Sequence, residues 1–224
     1  MAESKKQVGS RSGKLLSSLG SFLRILCDLM ILNLLWLVCS LPVVTVGPAS
    51  SALCRASLKL ARGEQFSTLE TWFTAFRRDF LQALVLGLIG VVGLVIAGVD
   101  FWFAVAQTGT LRTVYLVVAV IVSALVLSYW SWVFALHASY ENTLGATIKN
   151  ALSLAFVEPV KTVLIWIGFA VPVVCFLFLP EEAVIYLGWA YILFAVSAPA
   201  YFAARSQIKV FDRFDESGTE QQAE

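Results

Sequence analysis

The chain has 224 residues, of which 59% are hydrophobic and 14% charged, and its mean hydropathy is +0.82. Soluble domains carry about 45–50% apolar residues, so this composition excludes an ordinary soluble domain and predicts an all-α, polytopic membrane helical bundle. The net charge is only +1 and the basic residues are spread over short polar segments, so no nucleic-acid partner is expected and the bilayer is the expected surrounding.

Residues 1–20 are basic, with no small-residue cleavage site after them, and read as an uncleaved cytoplasmic N-terminus. A helix needs about 20 mainly apolar residues to cross a ~30 Å hydrocarbon core, and the runs 21–41, 80–106, 111–138, 160–180 and 183–204 meet that length. Positive charge gathers at Arg55, Lys59, Arg62, Arg77 and Arg78, at Lys149 and Lys161, and at Arg205, Lys209 and Arg213. Short loops rich in Lys and Arg stay inside. The chain must therefore leave and return within residues 21–62.

The return leg is "VGPASSALCRASLKLAR", with Pro48 suited to a first helical position and Gly63 to a stop, which predicts a helix over 48–62. About 15 residues rise only about 22 Å, so "PVVTVG", residues 42–47, is expected to run extended back into the membrane. The resulting architecture has five long spans plus a short, broken return helix: six crossings, both ends cytoplasmic, a single membrane domain over 21–210 and a disordered polar tail over 211–224.

Irregular backbone at membrane depth requires protein cover or a watery cavity. Pro42, Thr45, Gly47, Pro48, Ser50 and Ser51 are thus a candidate locus, beside either a cavity or a tight polar contact. Arg55 and Lys59 would each cost about 2.5–3.5 kcal/mol at the bilayer centre, so Asp28 is expected to pair with one of them. Asn33 suits either helix packing or a site lining.

Phe66, Leu69, Trp72, Phe73, Phe76 and Phe80 recur at spacings of three and four, as do Leu144, Ile148, Leu152 and Phe156. Both patterns predict amphipathic helices lying at the inner interface, each leading into a span, a faint internal repeat. They serve as anchors or as a docking platform, for which Trp72, Phe73, Phe76, Arg77, Arg78 and Lys149 are the candidates. Ala83, Gly87, Gly90 and Ala97 form a small-residue strip for close helix packing. Pro172 and Pro199 should kink the last two spans. Tyr129, Trp130 and Trp132 suit an inner aromatic belt, and Phe101, Trp102, Phe103, Tyr115 and Trp189 an outer one.

His137 is the only histidine, no HExxH, GxSxG or Walker motif occurs, and Cys27, Cys39, Cys54 and Cys175 read as small packing residues. No enzyme activity, metal or cofactor is expected.

"LLWLVCSLPVVTVGPASSAL", "LKLARGE", "WFTAFRRDFLQAL" and the later "NAL" and "EPVKT" resemble the YesL-like bacterial membrane proteins, a family of unknown function, over most of residues 20–210. That resemblance implies a bacterial plasma membrane protein with an accessory or regulatory role in carbohydrate ABC import or its sensing. Its partner would be a sugar ABC transporter permease or a sensor kinase. The family brings no catalytic or binding residues. The alternative is a small solute transporter or channel that uses the broken helix at 42–51.

Overall fold

A computed structural model describes residues 2–78, 80–178 and 180–223, with side chains described from Leu19 to Glu216 apart from positions 79, 179, 181, 182 and 184–187. Among these, the chain forms α1 (Ala2–Cys39), a 3-10 turn (Val43–Thr45), α2 (Val46–Ala61), α3 (Thr68–Arg77), α4 (Phe80–Ala106), α5 (Gly109–Ser139), α6 (Leu144–Val157), α7 (Pro159–Phe178), α8 (Glu181–Phe194) and α9 (Ser197–Ala223). Leu19–Cys39, α4, α5 and α7 are long and apolar enough to cross a membrane. Their outward positions carry side chains such as Val92, Val95, Val120 and Leu164, all more than half exposed, an apolar surface fit for lipid. The protein is an all-α membrane-type bundle.

Three helical hairpins build it. α1 is returned by α2; α3 leads into α4, which α5 returns; α6 leads into α7, which α8 and α9 together return. One end collects the polar pairs: Thr68 with Asp28, Arg78 with Glu141, Gln82 with the Asn142 carbonyl, Arg62 with Asp212 and Arg213 with Glu158. The other end holds the 3-10 turn, the α4–α5 connection and the Phe176–Tyr191 contact of α7 with α8.

α2 is the central strut, packed on α1, α3, α4, α5 and α9. Eleven of its residues are buried, mostly Gly, Ala and Ser, and small side chains let five neighbours approach one short helix. On one side Leu32, Ala49, Ala52, Leu53, Trp72 and Ala200 form a core. On the other, Leu58 joins Trp132, Val133, Phe134, Leu136 and Phe211. The predicted strip on α4 is buried as expected, with Gly87 against Gly47 and Gly90 against the Trp130 ring.

Several expectations are corrected. Residues 42–47 do not run extended: after Pro42 the chain turns through a 3-10 segment and α2 already begins at Val46. Sixteen residues of α2 rise about 24 Å and the 3-10 turn adds about 6 Å, so coiled backbone covers the distance that extended chain was expected to cover. The run 183–204 is not one continuous helix; it is divided at Ala195–Val196 between α8 and α9. Residues 211–223 are helical, and Phe211 is buried against Trp132 and Tyr140, so packing extends past the expected boundary at 210. Tyr129 and Trp132 are core residues rather than belt residues, since their polar tips reach the Leu86 carbonyl (2.7 Å) and the Thr162 hydroxyl (2.9 Å). Of the cysteines, Cys27 and Cys175 are exposed rather than packed.

Candidate functional site

The residues singled out from the sequence fall in three separate places. The first is the turn at the end opposite those polar pairs. Thr45 Oγ1, with one proton to give, lies within hydrogen-bond distance of the carbonyls of Cys39 (2.6 Å) and Pro42 (2.8 Å), and its own N–H donates to the Pro42 carbonyl (2.9 Å). Trp36 Nε1 donates to Ser50 Oγ at 3.2 Å. A Cβ built on Gly47 would lie 2.9 Å from the Gly87 Cα and overlap the Ala83 carbonyl. Pro48 and Ser51 are buried beside these contacts. The Trp36–Ser50 hydrogen bond is a polar contact beside this stretch.

The second place is Asn33, fully buried on α1. It lies about 21 Å along the helix from Leu19 and about 9 Å from Cys39, within the apolar stretch. Its Oδ1 accepts from the N–H groups of Val196 and Ser197, both at 2.9 Å, while its Nδ2 donates to the Ile192 carbonyl at 2.7 Å. In a continuous helix the Val196 N–H would reach Ile192 directly. Here the Asn33 carboxamide is inserted into that step of the ladder. Pro199 keeps the helix broken just beyond this step, because its ring clashes with the carbonyl four residues earlier and it has no N–H to give Ala195. At the start of α9, Asn33 takes two of the first-turn donors and Pro199 lacks a third. Asn33 is thus a packing residue that also caps a helix break. The sequence named Asn33 and Pro199 separately; only the fold joins residues 159 or more positions apart.

Asp28 joins neither Arg55 nor Lys59, which corrects the expected pair. It accepts from Thr68 Oγ1 at 2.5 Å and lies 3.8 Å from Arg24. The N-terminus of α3 stands beside this part of α1, and a carboxylate there is favoured by the helix dipole.

The third place is a cavity of about 330 Å³ at the charged end, where α2, α5 and α9 meet. Arg55, Lys59 and Arg62, at i, i+4 and i+7, line it from α2; Tyr140 follows α5, Asp215 comes from α9, and Glu64 lies beyond α2. Arg55 Nε donates to the Ala138 carbonyl at 3.2 Å. Arg62 pairs with Asp212 at 3.3 Å and Lys59 Nζ stands 5.8 Å from the Phe66 ring centre. Tyr140 donates to Asp215 at 3.0 Å, and burial first, then that bond and the Asp215 charge, push its phenol up to about 12. His137 borders a void of about 10 Å³ next to Arg55, room for roughly one water. Arg62 was legible as the next residue on the Arg55–Lys59 face. Tyr140 and Asp215 carry no local signal that would bring them to α2. Among the described residues, no group of three His, Cys, Asp or Glu side chains could hold a metal ion.

The docking candidates separate by face. Trp72 is 0% exposed in the core and is unavailable to a partner, and Phe76 is partly buried on Phe80. α3 therefore packs edge-in rather than lying flat on the surface. Leu69 (51% exposed), Phe73 (46%) and Arg77 face outward, Arg78 pairs with Glu141, and Lys149 is exposed on α6. On α6 the expected stripe holds for Leu144, Ile148 and Leu152, whereas Phe156 points away from the core.

Residues 29–101 match the protein family described as "Protein of unknown function, DUF624". The YesL-like resemblance is consistent with this match. The DUF624 match covers about a third of the chain, from the second half of α1 to near the end of α4. It contains Asn33, the Gly47–Gly87 contact and the three cations of α2, but neither the α8–α9 break nor Tyr140 and Asp215. Comparison with curated proteins and with solved structures gives no match.

Proposed function

We propose that this chain is a non-enzymatic accessory or regulatory subunit of the bacterial plasma membrane, with six crossings and both ends in the cytoplasm. It acts by docking its charged end on a membrane partner of carbohydrate ABC import or its sensing, a permease or a sensor kinase. The observation that carries the reading is the outward edge of α3. Trp72 locks the inner face of this short helix, while Leu69 and Phe73 on its outer face stay about half exposed next to Arg77. A rigid helix showing apolar anchors with a basic rim suits protein docking. The positive charge of the same end supports a cytoplasmic orientation, and the link to sugar import rests on the YesL-like resemblance. The transporter alternative has less support, because the turn at 42–51 is closed by direct backbone contact of Gly47 with α4.

A photo-crosslinking residue at Phe73 in native membranes tests this. An adduct with a sugar permease or sensor kinase, weakened by Leu69→Ser, is expected. Adducts with lipid alone, together with solute flux by the pure protein in liposomes, would overturn docking in favour of transport.

A further inference from the structure

We propose that the segment of α9 from Asp212 to Glu216 is a charge-held latch, hinged after Phe211, which closes the cavity between α2, α5 and α9 and opens as ionic strength rises. The latch does not depend on the docking reading and would stand without a protein partner.

The close packing of α9 stops at one residue. Val210 and Phe211 are buried, with the Phe211 ring edge-on to Trp132 and Tyr140. From Asp212 to Glu216 every residue is exposed. Polar contacts tie this exposed turn to three other parts of the bundle. Asp212 meets Arg62 of α2 at 3.3 Å, Tyr140 at the end of α5 donates to Asp215 at 3.0 Å, and Arg213 meets Glu158, between α6 and α7, at 3.0 Å.

The signs match wall by wall. Asp212 and Asp215, three residues apart, share a face of the helix, and that face meets the cavity lined by Arg55, Lys59 and Arg62. Arg213, about 100° further round, meets a carboxylate instead. Turning the helix by one residue would bring Arg213 toward Arg62 and set like charges together, so the pattern fixes the rotation at which the segment seats. Carboxylates that balance the cations of α2 are thus carried on the part of α9 that packs least.

Opening costs little because the charges that part pass to water. Arg62, Asp212 and Arg213 are 44%, 54% and 67% exposed where they pair, and pairs of that exposure contribute little and weaken with salt. Glu158, the more buried partner of Arg213 (16% exposed), keeps Lys161 at 3.2 Å when Arg213 leaves. Phe211 and its ring contacts stay in place as the pivot. Movement of the segment withdraws Asp215 from the wall of the cavity, about 330 Å³ in volume, and uncovers Lys59 and Tyr140 within it.

The test is hydrogen exchange on the full chain in phosphatidylcholine nanodiscs, resolved to residues 203–211 and 212–216, in about 0.05 M and about 1 M sodium chloride. Exchange at 212–216 should speed up about two- to tenfold in high salt, with 203–211 unchanged. Asp212→Asn and Arg62→Asp should each speed the same segment at low salt, and Arg62→Asp combined with Asp212→Arg should restore its protection. Melting temperatures verify that each variant folds, and Asp212→Asn, at an exposed position, serves if Arg62→Asp does not fold. Acylation of the Lys59 amine by an N-hydroxysuccinimide ester, read by mass spectrometry, should rise in step with exchange. Exchange at 212–216 that ignores both salt and Asp212→Asn overturns the charge-held contact. Loss of protection spreading through 203–211 overturns the hinge, and Lys59 acylation that stays constant while 212–216 opens overturns the closing of the cavity.

Discussion

Replacing Asn33 should destabilise the bundle more than any other polar substitution within its apolar stretch. The carboxamide makes three hydrogen bonds, to Val196 N–H, Ser197 N–H and the Ile192 carbonyl. Removing it takes the partner from three backbone groups in the apolar part of the bundle. Each unsatisfied group costs about 1–3 kcal/mol in a water-excluded interior, while polar contacts between membrane helices average about 0.6 kcal/mol and reach about 1.7. Taking both scales, the loss is about 2–5 kcal/mol. Asn33→Leu keeps the branched shape, slightly enlarged, and removes the hydrogen bonds, and Asn33→Ala removes both shape and hydrogen bonds, so their difference reports on packing. Equilibrium unfolding in mixed micelles measures the size of the effect. Hydrogen exchange at the amides of Val196 and Ser197 measures its place, with protection lost in both variants. If Asn33→Leu stays within about 0.5 kcal/mol of the wild type and protection at 196–197 is unchanged, the break is held by something other than Asn33 and the reasoning fails.

The close approach of α2 to α4 gives a second expectation. A Cβ on Gly87 would lie 2.5 Å from the Gly47 Cα, so Gly87→Ala or Gly47→Ala should cost about 1–3 kcal/mol or more by thermal unfolding, whereas Gly98→Ala, which meets nothing within 4 Å, should be neutral or slightly stabilising. Trp72→Ala should lose about 3–5 kcal/mol through the cavity it leaves in the α1–α2–α3 core, while Phe73→Ala one position along should leave the melting temperature unchanged. Tyr140 gives a test against pH. Its folded value of about 12 lies above the ordinary tyrosine value near 10, so its contribution is whole below about pH 10 and is lost as pH rises through about 12. The phenolate absorbance of the wild type minus Tyr140→Phe should therefore rise near pH 12, and a step at pH 10 would contradict the Asp215 contact.

Local periodicity made the long helices legible. The spans near α1, α4, α5 and α7, the small-residue face of α4 and the out-and-back path of α1 and α2 could all be read from hydropathy, glycine spacing and the distribution of Lys and Arg. What was misread depends on neighbours far along the chain. Trp72 repeats with Phe73 and Phe76 on an amphipathic pattern, and nothing local shows that α1 and α2 bury one edge of that pattern and leave the other outside. Asp28 was matched to the charges of α2 by counting depth along two helices, a count that has no means of knowing that α3 offers Thr68 first. At 42–47 the error was one of rise per residue: a 3-10 turn supplies reach without exposing the backbone that extended chain would expose.

The two irregular spots are closed in different ways, and this bears on transport through the bundle. At the turn, backbone meets backbone, with Gly47 on Gly87 and the Ala83 carbonyl; opening a path there means separating two helices along a contact that has no side chain to rotate aside. At Ala195–Val196 the closure is one carboxamide, whose three hydrogen bonds would have to break together or pass to water. A gate built on rotamer changes has no purchase at the first spot and one candidate hinge at the second. The polar side chains of α2 that remain solvated, Lys59 and Arg62, lie at the charged end, beyond both closures. Docking of a partner protein at that end would use groups the fold already exposes, whereas conduction would require contacts it has buried.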